Sequence, residues 1–556
     1  MDYGVRTLKD SFEKIPINEN FKLIAGPGAG KTTFLINHIQ NVIKKSAKLK
    51  NGRKILCITY TNVAVDTIKE RLGTYTNEVE ISTIHHFLYH HILKPYIWTL
   101  KDEIPASLLD LTDVHISFPS FSVLPQPRTK QLMVLNNYTA KEIISELKKV
   151  YWTLDKQNNI HPKYAGMMLI GNDYILEYKD NLWNSKRITP DDILKFSHEI
   201  IVKKPEILDI LRIKFPYIFV DEFQDVCDVQ CKIIELICEK NVNIGVIGDP
   251  AQSIYSFRGA NYGNIENLNL DMQTYEIKNN KRSTDKIVKV LNNIRNDHLI
   301  QLPATKGKTL PKILVGDELK AYDYTCNLID SELTVLSYRH RELNDLSFKI
   351  ASGNYSTNRK CLDEFWKLND KRDTIVEYTI KAIESFKEGD FKSAIRQMTF
   401  ASHYFETDEK KIIKKLFQLS KDYNDFKDKT LKDFYLENIY REEVEELRKF
   451  SAGKRKDIYE SLLYTDLVRD IKNSHENNFR TIHSCKGAEF DNVLILTKNH
   501  PLTFLFNFNI TTDMHRLYYV AMSRARENLF ISISELEDSK YSNLEEKGFE
   551  IINLDS

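Results

Sequence analysis

Residues 25–32 read Ala-Gly-Pro-Gly-Ala-Gly-Lys-Thr, and no other stretch constrains the fold as much. The apolar run Phe21–Ile24 leads in, and Phe34-Leu35-Ile36, Ile39 and Val42-Ile43 lead out at helical spacing. Strand, glycine loop and helix is the context in which such a loop cradles phosphate. Glycines let backbone N–H groups turn inward, and the helix N-terminus adds partial positive charge. In this reading Ala25, Gly26, Pro27, Gly28, Ala29, Gly30, Lys31, Thr32 and Thr33 hold the phosphates of ATP. Lys31 reaches the β- and γ-phosphates and the Thr32 hydroxyl binds Mg²⁺. Ala25 stands where the general pattern has its first Gly.

A second stretch, Tyr217-Ile-Phe-Val-Asp-Glu-Phe-Gln-Asp225, is an apolar strand ending in two acids. Beside a phosphate loop, Asp221 would hold the Mg²⁺ shell and Glu222 would polarise the attacking water.

The chain has 556 residues, enough for two to four domains. Its net charge is +1, so any nucleic-acid contact comes from a local groove rather than a global basic field. Seven Cys, an odd count without a C-x-x-C pair, argue against a disulfide framework. Cys227, Cys231 and Cys238 fall at helical spacing and read as a buried helix face rather than a metal site. No early segment resembles a signal peptide and no run of 18 apolar residues appears, so the expectation is a cytoplasmic protein without membrane contact.

The pattern predicts an α/β fold in two blocks, each interrupted. Residues 1–98 and 190–274 form the first block, with strands at 54–59, 79–81, 217–220 and 243–248. An insertion, 99–189, carries loops marked by Pro105, Pro119, Pro125 and Pro127 and a helix near Ala140–Trp152. Thr189 and Pro190 open the next helix as N-cap and first residue. Residues 275–345 and 476–556 form the second block, with strands at 333–337, 493–496 and, last, 529–533. Between them, 346–475 is rich in Lys, Glu, Phe and Tyr, poor in Gly and without Pro, and reads as an all-helical insertion.

Ordered motifs give this organisation a family. The chain resembles the UvrD/Rep/PcrA-type DNA helicases of superfamily one nearly end to end. The resemblance rests on Ala25–Thr33, on Thr59-Tyr-Thr-Asn62, on Ser82-Thr-Ile-His-His-Phe87 and on Val220–Asp225. It continues through Gly248-Asp-Pro-Ala-Gln-Ser-Ile-Tyr-Ser-Phe-Arg-Gly-Ala260, Asn280-Lys-Arg-Ser283, Thr481–Phe490 and Leu517–Ala525. It implies two RecA-like P-loop NTPase domains with helical insertions, and 3′→5′ movement on single-stranded or tailed DNA driven by ATP and Mg²⁺. It also implies catalytic roles for Glu222, Gln252 as γ-phosphate sensor, and Arg282 and Arg524 as fingers from the second block, with Glu489 at the nucleotide. Tyr60, Tyr255 and Phe257 would stack bases; Thr61, Asn62, Thr83, His85, Arg258 and His483 would contact the strand.

Two departures concern the base. Residues 1–24 contain no Gln to read adenine, and Lys281 stands where the family commonly has a stacking Tyr. Other NTPs are therefore expected to serve. The run Gly453–Lys456 reads as a solvated basic loop. The compact insertion suggests the helicase-like subunit of the Gabija phage-defence system, which would imply an OLD-type nuclease with a TOPRIM domain as partner. Two readings stay open: a translocase or helicase in defence or repair, and a DNA-end or single-strand sensor ATPase regulating a nuclease with little unwinding. RNA as track is a third.

Overall fold

The computed structural model describes residues 4–116, 123–135, 140–164, 171–295, 297–352, 359–366, 368, 371–402, 408–440, 449–471, 478–497 and 502–555. Pro119 lies outside them.

Two parallel sheets organise the described residues. The first has seven strands in the order Arg6–Leu8, Gln273–Ile277, Phe21–Ala25, Asn243–Gly248, Tyr217–Val220, Ile55–Thr59, Val79–Thr83. Every pairing in it is parallel. Its central strands are apolar on both faces, as a sheet covered on both sides requires. Helix Lys31–Lys45 covers one face with Phe34, Leu35 and Ile39, all at most 1% exposed. The second sheet has six strands, ordered Phe479–Thr481, Leu333–Ser337, Phe490–Leu496, Ala525–Ile533, Lys312–Val315, Glu550–Asn553, again all parallel.

Several expectations shift. Strand Gln273–Ile277 pairs with Phe21–Ala25, so it completes the first sheet and runs across the expected boundary at 274/275. Strand Glu550–Asn553 follows the one expected to be last. The helix near 140–152 stops at Leu147. Val150–Leu154, rich in β-branched and aromatic residues, pairs antiparallel with Ile160–Tyr164 instead. Pro127 is the second residue of helix Gln126–Leu135, where its missing N–H costs nothing. Cys227, Cys231 and Cys238 are all buried along helix Asp228–Cys238 and its N-cap, as a core face.

One carboxylate ties the first insertion to the helix that follows it. Thr189 caps helix Pro190–Lys203 in a box with Asp192. Asp192, 0% exposed, accepts from Lys179 Nζ (2.7 Å), Trp152 Nε1 (3.0 Å), Trp183 Nε1 (3.2 Å) and the Thr189 N–H (2.8 Å). The second insertion is built from helices including Lys371–Lys387, Phe391–Ser402, Glu409–Lys421 and Leu431–Asn438. Gly453 precedes helix Lys454–Ser461 rather than a loop. Lys454, Arg455 and Lys456 lie 3.2, 3.4 and 3.7 Å from Glu364, Asp373 and Glu460.

Candidate nucleotide cleft and strand groove

The phosphate loop turns between strand Phe21–Ala25 and helix Lys31–Lys45. Gly28 and Gly30 have φ of 70° and 83°, backbone that favours glycine. Space is equally tight at Gly28, where a Cβ would come within 2.6 Å of the Arg282 Cβ. The second lobe therefore touches the loop directly, and the Lys281 N–H donates to the Gly28 carbonyl (2.9 Å). Lys31 Nζ donates to the carbonyls of Ala25 (3.1 Å) and Gly26 (3.4 Å). Thr33 points away from the loop, its hydroxyl accepting from Arg71 Nη2 at 2.9 Å.

Thr32 Oγ1 lies 3.5 Å from Asp221 Oδ2. Burial, and then the neighbouring Glu222 charge, push the Asp221 carboxyl up to about 7. Glu222 follows in left-handed backbone, φ 54°. Burial alone would raise its carboxyl, but Lys486, Lys31, the Gln224 amide and Arg524 outweigh that and hold it below its ordinary value. Gln224 Nε2 donates to Glu222, and Gln224 Oε1 accepts from the Asp249 N–H. A hydroxyl, two acids and a lysine at the end of parallel strands form an oxygen-rich donor set that fits Mg²⁺ and a triphosphate. Asp221 is raised by burial and by the Glu222 charge despite Lys31, so a further positive charge would favour its ionised form.

The second lobe supplies two arginines. Arg282 donates to Glu489 (2.6 Å) and to the Ser523 carbonyl (3.1 Å), while its Nε is buried without a partner. Glu489 is thus the clamp of Arg282 in this state. Arg524, 2% exposed, donates to Gln252 Oε1 at 3.1 Å. Burial and the Arg282 charge bring its guanidinium down to about 10. Gln252 also donates to Asp249 (2.6 Å), so it bridges the first lobe's strand end and the second lobe's arginine. Two residues on either side of it, Ala251 and Ile254, pack into the second lobe's core.

Three further cations, outside the motif assignments, meet at the cleft. Arg295 donates to Asp249 (3.0 Å) and to the Tyr519 hydroxyl (3.1 Å). Lys486 pairs with Asp225 and donates to the Gln252 carbonyl at 3.1 Å. Arg516, under 2% exposed, bonds the Ser253 carbonyl and Asp513. Lys486 lies inside a quoted motif and Arg516 beside one, so position was a signal for both. Arg295 had none.

Along the same seam lies a row of rings. Tyr60 stacks on Tyr255 with centroids 4.7 Å apart. Tyr255 is followed by Phe257 (6.0 Å), and Phe257 by His483 edge-on (5.5 Å). Phe257 is 45% exposed, and Arg258 lies 5.6 Å from its centroid. Lys486 stands 5.0 Å from the Tyr255 ring. Burial, reinforced by Arg258, pushes the His85 imidazole down to about 4, so it is neutral. His483 is lowered as well, by burial first. Thr61 and Thr83 cap helices Asn62–Leu72 and Ile84–Leu88, accepting from the Ala64 and His86 N–H groups. Those bonds leave Asn62 exposed at the first turn.

Two parallel sheets, a phosphate loop at a strand end of the first, Arg524 just before a strand of the second and Arg282 on the separate strand Asn279–Thr284 define a P-loop NTPase. Residues 9–273 match the UvrD/REP helicase N-terminal domain and residues 348–536 the UvrD-like helicase C-terminal domain. The chain belongs to the UvrD-like helicase family, whose members are ATP-hydrolysing enzymes. It is similar to the Gabija protein GajB of Bacillus cereus, 23% identical over 94% of each chain. It is also similar to the ATP-dependent DNA helicases Rep of Buchnera aphidicola (28% identical, 55% of this chain, 46% of the relative) and PcrA of Bacillus subtilis (28%, 49% and 37%). The chain thus matches less than half the length of those two helicases. Among the described residues no helix is long and apolar enough to cross a membrane.

Proposed function

We propose that this protein is an ATP-driven 3′→5′ translocase on single-stranded DNA, hydrolysing NTP in the cleft and moving the strand along the aromatic row. The observation that carries this is Gln252. It is hydrogen-bonded at once to Asp249 of the first lobe and Arg524 of the second, four residues or fewer from Tyr255 and close to Lys486. A change at the γ-phosphate would reach the strand groove through that short segment by hinge motion of the lobes.

Bound ATP brings the bond to be broken, and Mg²⁺ offsets its charge. The residues position and stabilise the rest. Lys31 and the loop N–H groups would orient the phosphates, and Thr32 with Asp221 would hold the cation. Glu222, ionised beside Lys486 and Lys31, orients water, and Arg282 and Arg524 stabilise charge on the transferring group. The groove's rings stack bases without regard to sequence, as Tyr60, Tyr255 and Phe257 permit. Thr61, Asn62, Thr83, His85, Arg258 and His483 line the strand's path.

End-to-end similarity to GajB supports a role in phage defence beside a partner nuclease of the OLD type. In that setting the protein acts as a strand or DNA-end sensor whose turnover regulates the partner, and strand displacement on a tailed duplex separates that role from unwinding. The deciding experiment is NTP hydrolysis with and without single-stranded DNA. Lys31→Ala and Glu222→Gln should each lower kcat by about 10²–10⁴-fold. DNA binding without stimulated turnover in the intact protein would overturn the motor reading.

A further inference from the structure

A cavity of about 310 Å³ opens off the aromatic row, between the first lobe's strand-facing loops and the insertion's hairpin. Tyr60, Phe257 and Arg258 line it together with Tyr151, Tyr178 and Asp191. The hairpin closes the wall by direct contact. Gly259 has φ +83°, and a Cβ there would lie 2.6 Å from the Tyr151 ring. At this volume the cavity sits at the small end of ligand sites, roughly 300–1,000 Å³. That suits one nucleotide unit rather than a longer segment.

Among its polar groups, which include Lys148, Lys179, His85 and Arg258, two bear on what it could hold. Tyr178 is 1% exposed and its hydroxyl has no hydrogen-bond partner. A buried hydroxyl left unpaired is costly unless a ligand completes it. Asp191 is the second residue of helix Pro190–Lys203. Its neighbour Asp192 is consumed by the Lys179, Trp152 and Trp183 bonds, whereas Asp191 lines the cavity. Burial pushes the Asp191 carboxyl up to about 6, against the pull of Lys179. Aromatic faces with an acceptor at the far end suit an unstacked base that presents N–H donors on its Watson–Crick edge. Guanine offers N1–H and the N2 amine side by side, matching two carboxylate oxygens. Thymine offers one N–H between two carbonyls, which a carboxylate repels.

We propose that this cavity reads one unstacked guanine of the bound strand, with N1–H and the N2 amine donating to Asp191 and O6 accepting from the Tyr178 hydroxyl. The proposal rests on the single-strand track inferred above and adds a sequence preference to it. Stacking on the open row remains indifferent to sequence; the pocket makes the protein dwell at guanines.

The test is fluorescence anisotropy with oligo-dT and with the same oligonucleotide carrying isolated dG, dA or dC, spaced too widely for quadruplexes. The intact protein should bind the dG strand about tenfold more tightly than oligo-dT. Asp191→Asn and Tyr178→Phe should each bring the dG strand close to the oligo-dT value, with oligo-dT binding unchanged and thermal melting not lowered. Equal affinity of the intact protein for all four strands, or a preference for dA or dC, overturns the guanine pocket and leaves the track standing. Equal weakening of dG and dT strands by Asp191→Asn also overturns it, as a structural role. No binding to any strand overturns both readings. Displacement of the dG strand by micromolar free GMP would assign the pocket to a free nucleotide and overturn the strand-reading role.

Discussion

The two insertions are embedded in different ways. Residues of the first, such as Trp152, Tyr178, Leu182 and Trp183, share one continuous core with Leu56, Ile218 and Val220 of the first sheet. The second has a core of its own, from Leu362 to Val468, in which no residue of the second sheet takes part. The first insertion is therefore an extension of its lobe, and it can wall a pocket at fixed distance from the strand groove. The second, with a core of its own, is expected to open as a separate unit.

The largest test of this contrast is Asp192→Ala. It strands Lys179 in a dry environment, and breaking a buried pair in this way costs about 3–5 kcal/mol. Hydrogen exchange should show the first insertion and the first sheet losing protection together. Loss confined to the insertion would break the comparison. Burial raises the Asp192 carboxyl, but Lys179, with hydrogen bonds from Lys179, Thr189 and Trp152, outweighs it and leaves the group below its ordinary value. Its stabilisation is present above the unfolded-state value and is lost as pH falls through the lower folded one. Acid melts of the intact protein should show this, and Asp192→Ala should lack it.

Next in size is Leu416→Ala, at a residue 0% exposed in the second insertion's core. The cavity should cost about 2–5 kcal/mol. Exchange should rise in the second insertion alone, and nucleotide affinity should hold. A matching loss in the second sheet would join the two units.

A smaller effect of opposite sign belongs to the cleft. Asp221 is raised to about 7, by burial first and Glu222 second, so the folded state disfavours its ionised form. Its contribution to stability is full below the unfolded carboxylate value and is lost as pH rises through about 7. Asp221→Asn should therefore raise the melting temperature of the nucleotide-free protein at pH 8, give no gain at pH 4, and abolish turnover. Gain at both pH values would remove the electrostatic cause.

Local sequence carried the cleft's first half because its parts are neighbours in the chain. A glycine loop between an apolar strand and an amphipathic helix is set by residues within one turn of each other, and so are the strand ending in Asp221-Glu222 and the Thr189 cap. The Val150–Leu154 strand was less legible. Its β-branched and aromatic residues follow a strongly amphipathic helix closely, and only pairing with Ile160–Tyr164 decided between them. Pro127 likewise read as a loop residue until its place in the helix's first turn made it compatible.

By itself, then, the sequence determined two α/β blocks, the phosphate loop, the paired acids and the order of the motifs, all of which follow from short-range pattern. Tertiary structure alone decided which distant charged and polar groups meet. Arg295 reaches Asp249, Lys486 reaches Asp225, and Arg524 reaches Gln252, pairs separated by 46, 261 and 272 residues. It also left the Tyr178 hydroxyl unpaired and turned Asp192 into a joint. A buried charge or hydroxyl is costly without a partner, yet its partner is chosen by how sheets and insertions pack, and no local pattern encodes that choice.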